Sequence, residues 1–88
     1  MKPLNYAILK HFTKVHEASV IDIMEALKGD YQSFKTFNKE SIIDALLTAE
    51  ANGLIEETRV DLDHNEELLI FYHANEESKA TINGYIRD

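Results

Sequence analysis

The residues with the spacing to do chemistry cluster between Asp61 and His73. Asp61, Asp63 and Asn65 alternate as in the opening of a calcium-binding loop, where oxygen donors at every second position begin to wrap the ion. The glycine such a loop needs next is Glu66, and the position of its distant bidentate glutamate is Tyr72. Asp63 with His64 and His73 offers a mixed carboxylate and imidazole set of the kind that suits a transition metal. The broken loop pattern favours a solvated hairpin tip over either site, so neither a metal nor a cofactor is expected. No Gly-rich phosphate loop, nucleophile elbow or His-Glu-x-x-His run occurs, and the absence of cysteine removes thiol catalysis and thiolate-held zinc. Carboxylates are plentiful, but spacing opposes no two of them across a cleft. The chain does not read as an enzyme.

A second constellation lies at residues 28–39. Tyr31, Phe34 and Phe37 recur every third residue, with Lys28, Lys35 and Lys39 among them. Aromatics interleaved with lysines can stack bases and neutralise phosphates. The same aromatics can equally fold a long connection onto a core, and that reading is preferred. Charge is unevenly spread. Residues 1–37 carry five lysines against four acids, whereas residues 38–88 carry four bases against twelve acids. An anionic partner would have to approach the N-terminal part.

These residues need elements to position them, and 88 residues with 44% hydrophobic and 28% charged side chains make a single folded domain. The firmest element is a helix over 38–52. Ile42, Ala45, Leu46 and Ala49 share one face, Asn38 can cap it, Phe37 and Ile42 have staple spacing, and Gly53 closes it. A first helix is predicted over 3–15, with Lys10 and Lys14 pointing outward and His11 bordering the apolar face. A second is predicted over 19–28, opened by a Ser19–Asp22 capping box and stopped by Gly29. The connection runs over 29–37. A β-hairpin spans 54–73, its second strand apolar enough to expect cover on both faces, and a thinly striped helix closes the chain over 76–87. The class is α+β. No apolar run is long enough to cross a membrane and the N-terminus lacks a signal-peptide pattern, so a cytoplasmic location is expected.

The order helix, helix, helix, hairpin, helix resembles the winged helix-turn-helix domains of small bacterial regulators, in a pattern similar to the MarR and PadR types. LLTAEANGLIEE (46–57) looks like a recognition helix ending in glycine before an apolar pair opens the wing. SVIDIMEAL (19–27) looks like the first helix of the helix-turn-helix. FYHANEESKATINGYI (71–86) is similar to the segment joining the last wing strand to the closing helix, and YAILKHF (6–12) resembles helix 1 of YjcQ-like winged-helix proteins. The resemblance implies a three-helix core, a two- or three-stranded β-wing and a C-terminal helix. It also implies a small transcriptional regulator that binds DNA as a homodimer, the third helix entering the major groove. Carried over, the DNA-contacting front of the third helix would be Asn38, Lys39, Ser41 and Asp44, with the local lysines Lys28 and Lys35 as further candidates. The thinly striped closing helix either packs back on the core or pairs two copies through Ile82, Tyr85 and Ile86.

The charges depart from that pattern. The third helix presents Lys39 beside Glu40, Asp44 and Glu50, and the wing sets Arg59 against Glu56, Glu57, Asp61, Asp63, Glu66 and Glu67. Such a wing repels phosphate. The alternative expectation is therefore a protein–protein interaction module that uses those six wing acids and binds no DNA.

Overall fold

Phe12, Ile8, Ile23, Ile42, Leu46 and Ile55 are almost wholly withdrawn from water, and the six come from every part of the chain before the hairpin. The computed structural model describes residues 1–87. Around that core it arranges α1 (Leu4–His11), α2 (Val20–Tyr31), α3 (Lys39–Ala51), β1 (Glu56–Leu62), β2 (Leu68–His73) and α4 (Glu76–Tyr85). The class is α+β: among the described residues, four helices and one two-stranded antiparallel sheet. A bridge at Ala18 extends the sheet by one residue. Ala18 N–H donates to the Tyr72 carbonyl at 2.9 Å and Tyr72 N–H donates back at 3.0 Å.

The helix starts follow their side-chain caps. Ser19 Oγ accepts from Asp22 N–H at 3.3 Å while the Asp22 carboxylate accepts from Ser19 N–H at 2.9 Å, a complete capping box. Asn38 Oδ1 accepts from Ser41 N–H, and Asn75 Oδ1 from Ser78 N–H, each at 2.8 Å. At the far end of α3, Gly53 takes a left-handed φ of 76°. This lets Gly53 N–H reach the Glu50 carbonyl and Leu54 N–H the Ala49 carbonyl, the paired bonds of a Schellman closure.

Four expectations are corrected. α1 ends at His11, not residue 15, because the next amides bond three residues back and Thr13 Oγ1 donates to the Lys10 carbonyl, tightening the last turn. α2 runs through Gly29 to Tyr31. Burial of the Tyr31 ring and its hydroxyl bond to the Lys2 carbonyl, 2.6 Å, outweigh the weak helical preference of glycine. Lys10 points inward: it is 8% exposed, and its ammonium donates to Asn83 Oδ1 at 2.7 Å and to the Ile86 carbonyl at 2.8 Å. It thereby holds the end of α4, whose helix stops at Tyr85 and leaves Arg87 beyond it. Finally, β2 is covered less than its apolar sequence implies. Tyr72 is buried, but Leu68 at the outer end is exposed.

Candidate functional site

The hairpin is shaped by two local devices. Between Glu57 and Arg59 the register slips by a residue, so Thr58 forms a bulge whose hydroxyl lies 3.2 Å from both the Phe71 carbonyl and Glu17 Oε1. At the tip, one oxygen of Asp63 accepts from Asn65 N–H at 2.8 Å and Glu67 N–H at 2.9 Å, closing the turn. The Glu67 and Asn65 amides, with help from the nearby charges of Lys39 and His64, hold the Asp63 carboxyl below its ordinary value. One oxygen of the carboxylate that recurred in both weak metal patterns is thus engaged in building the turn.

The two sheet faces differ in chemistry. Arg59 belongs to one of them. Its guanidinium lies 3.7 Å from the Phe71 ring centre, grips Glu17 with contacts down to 2.7 Å, and reaches Asp61 at 3.3 Å. Hydrogen bonding to Arg59 is the main reason the Glu17 carboxyl lies below its usual range. The wing cation of the sequence pattern is therefore committed within the fold. On the other face, the pairs Val60–Ile70 and Leu62–Leu68 stand side by side in register with the buried Tyr72. That apolar face turns toward α3.

The turn of α3 distributes its side chains over three directions. Ile42, Leu46 and Ala49 face the core. Ser41, Asp44, Ala45, Thr48 and Asn52 border a groove of about 640 Å³ shared with Leu4, Ile8 and Leu9 of α1. Lys39, Ile43, Leu46 and Leu47 border a smaller groove of about 190 Å³, closed on the other side by Leu68, Leu69 and Ile70 and floored by Val20 and Tyr72. Between the two grooves runs the outermost ridge, Glu40, Asp44, Leu47 and Ala51, spaced at four, three and four residues and all exposed.

The smaller groove opens onto an apolar surface. Exposure is 36% at Ile43, 47% at Leu47, 49% at Val60, 59% at Leu62 and 67% at Leu68. Lys39 lies on its α3 bank, and six acids stand near it: Glu40 and Asp44 on the exposed ridge of α3, Glu66 and Glu67 at the hairpin tip, and Glu50 and Glu57 close enough to act on Tyr72. Burial, followed by the charges of Glu50 and Glu57, pushes the Tyr72 hydroxyl up, which places both carboxylates within electrostatic reach of the groove floor.

The residues singled out from sequence are not gathered on one surface. Lys39 borders the small groove, whereas Ser41 and Asp44 border the α1 groove. Asn38 spends its side chain on capping α3 and on donating to the Lys35 carbonyl at 3.0 Å. Lys28 pairs with Glu25 at 2.9 Å. Tyr31 is buried, Phe34 meets its ring edge-on at 4.9 Å, and Phe37 packs on the core, so these aromatics cover the connection. Of the hairpin acids, Glu56 accepts from Asn75 Nδ2 at 2.9 Å, and Glu56, Glu57, Glu66 and Glu67 are all exposed. Of the closing-helix residues, Ile82 and Ile86 lie in the chain's own core and only Tyr85, 84% exposed, is free at the surface.

Sequence reading missed the exposed apolar set. Its signal was present: Ile43 and Leu47 widened the stripe of α3, and Val60 and Leu62 alternate with charged neighbours toward the same sheet face as Leu68 and Ile70. Among the described residues no helix is long and apolar enough to cross a membrane. The chain matches no family model, no curated protein and no solved structure.

Proposed function

We propose that this is a winged-helix domain that works by docking another protein on the surface between α3 and the β1–β2 hairpin, without catalysis of its own. A three-helix core, a hairpin directly after α3 and the Ala18–Tyr72 bridge support the winged-helix reading. The docking reading is carried by one observation. Between α3 and the hairpin the fold presents Ile43, Leu47, Val60, Leu62 and Leu68 to water, with acids outnumbering bases around them. Contiguous apolar surface with a polar rim is the anatomy of a protein contact. Phosphate binding, in contrast, grows with the number of cations brought to the backbone. Among the described residues Lys39 is the one cation that borders this groove, and the Asp63 carboxylate lies within its electrostatic reach.

The competing reading follows from the family resemblance: a cytoplasmic, dimeric regulator that contacts DNA through Lys28, Lys35, Asn38, Lys39, Ser41 and Asp44. A photo-crosslinking residue at position 47, compared with one at exposed Ala80 on α4, separates the two in an extract of the source cells. The expected adduct forms from position 47 and not from position 80, resists nuclease and is destroyed by protease. In parallel, a low-salt anisotropy titration with duplex DNA is expected to show no saturation up to about 100 µM, the weak end of non-specific binding. A nuclease-sensitive adduct at position 47, or saturable duplex binding, overturns the docking reading.

A further inference from the structure

We infer that the segment docking between α3 and the hairpin is a short cationic amphipathic helix, which seats an apolar side chain between Leu47 and Leu68 and carries lysines or arginines on its flanks. This rests on the docking reading above and adds the shape and charge of what docks. The groove volume of about 190 Å³ has room for one or two large side chains and not for a folded surface. Its floor is apolar, supplied by Val20, Leu46, Ile70 and Tyr72, so the group it takes is apolar too. The exposed leucines and isoleucine continue outward from that pocket along both banks, matching the apolar stripe of a helix laid in a groove.

The border sets the sign. Lys39 lies on the α3 bank itself, but Glu40 and Asp44 stand on the exposed ridge just beyond it. Glu50 and Glu57 lie within electrostatic reach of Tyr72 on the floor, and Glu66 and Glu67 stand at the hairpin tip, so acids outnumber that lysine by six to one. A second copy of this chain using the same face would lay these carboxylates against their equivalents, and like charges brought together across a contact oppose it. An acidic or phosphate-bearing partner meets the same repulsion. Cationic flanks turn the border into an attraction that also speeds encounter.

Titration of the full ¹⁵N-labelled chain with three designed peptides tests this. One carries leucines on one helical face and lysines on the other, one keeps the leucines and replaces the lysines with glutamates, and one keeps the lysines and replaces the leucines with serines. The leucine–lysine peptide is expected to shift the amides of Ile43, Leu47 and Leu68 saturably, with affinity reduced by about tenfold on raising salt from 0.05 to about 0.3 M, since screening weakens exposed charge pairs. Leu47→Ala with Leu68→Ala should also weaken it by about tenfold, and Glu40→Lys with Asp44→Lys should transfer preference to the leucine–glutamate peptide. Both pairs are surface residues, and unchanged thermal melting verifies that the fold is kept. Equal binding of the leucine–glutamate peptide overturns the charge assignment while leaving the docking reading intact. Equal binding of the serine–lysine peptide, shifts on another face, or no binding by any peptide overturns the inference, whereas the fate of the docking reading is decided separately by the crosslink from position 47.

Discussion

The two ends of this domain carry similar apolar side chains and treat them in opposite ways. At the α1–α4 end, Ile82 and Ile86 are buried and the Lys10 ammonium ties the last turn of α4 to α1. At the α3–hairpin end, Leu47, Leu62 and Leu68 are 47%, 59% and 67% exposed, and the acids around them do not cover them. Covering an apolar face in 88 residues takes one short helix and one anchoring side chain, since α4 does it with ten residues. The open face therefore differs from the closed one in lacking a covering element within the described chain, and the docked helix inferred above would supply for α3 what α4 supplies for α1.

The sharpest way to break this comparison is to measure what each end contributes to folding. Phe12, the C-cap residue of α1, is completely buried, so Phe12→Ala should cost about 3–5 kcal/mol. That is a large share of the roughly 5–15 kcal/mol that holds a domain of this kind. Leu68→Ala on the open face should change stability by no more than about 0.5 kcal/mol. Urea denaturation followed by circular dichroism reads both. A cost at Leu68 approaching that at Phe12 would mean that the open face is a part of the core, and the contrast between the ends would be lost.

Next in size is the anchor itself. Lys10→Met keeps the long apolar stem and removes the ammonium that serves Asn83 and the Ile86 carbonyl. Asn83 is exposed and can turn to water, but leaving the buried Ile86 carbonyl without this donor costs about 1–3 kcal/mol. The loss should be local, with amide exchange accelerating through α4 while the hairpin amides keep their protection. Uniform acceleration throughout would show that α4 does not close as a separate cover.

Why Lys10 was misread and α3 was not is a matter of where the determining contacts lie. The caps of α3 are made within its own sequence, Asn38 to Ser41 at one end and Gly53–Leu54 to Ala49–Glu50 at the other, so spacing alone revealed them. The partners of Lys10 lie 73 and 76 residues away, and a lone lysine on an amphipathic helix reads as solvated until they are seen. Gly29 failed as a stop for the same reason, because the burial of Tyr31 and its bond to Lys2, 29 residues away, extend α2 across it. The candidate surface was half legible. Its acids stood out by count, but its apolar centre is assembled from α3 and both strands, and its exposure follows from the hairpin projecting past the core, which no local pattern encodes.

Acid titration separates the two regions without any substitution. Burial, reinforced by Lys14, lowers the His11 pKa from its ordinary 6.5, and the turn amides of Glu67 and Asn65 lower that of Asp63 from 3.8. In each case the folded pKa lies below the unfolded one. The contribution is therefore complete above the ordinary value and is lost as pH falls through the folded value. The α1 region should lose the His11 share first, below pH 6.5, and the hairpin tip should hold until the pH drops below 3.8. Chemical shifts of the His11 ring and of the Asn65 and Glu67 amides, followed from pH 7 downward, report the two steps. Release of the tip amides before His11 titrates would reverse the assignment.

The smallest expected effect lies at the hairpin tip and runs in the stabilising direction. Glu66 holds a left-handed φ of 62°, a conformation in which its side chain crowds its own backbone. Glycine adopts it freely but loses more chain entropy on folding, so the net gain for Glu66→Gly should be about 0.5–1 kcal/mol. The same substitution deletes one of the acids at the tip, which separates two roles that coincide in one residue. If the tip charge helps draw a cationic partner to the open face, the variant folds more stably and binds the leucine–lysine peptide more weakly. Glu66→Asn, which also tolerates the left-handed region, should repeat the weaker binding with a smaller gain in stability. A more stable variant with unchanged peptide affinity would confine the electrostatic steering to Glu40, Asp44, Glu50 and Glu57, and would leave the tip as a turn that merely closes the sheet.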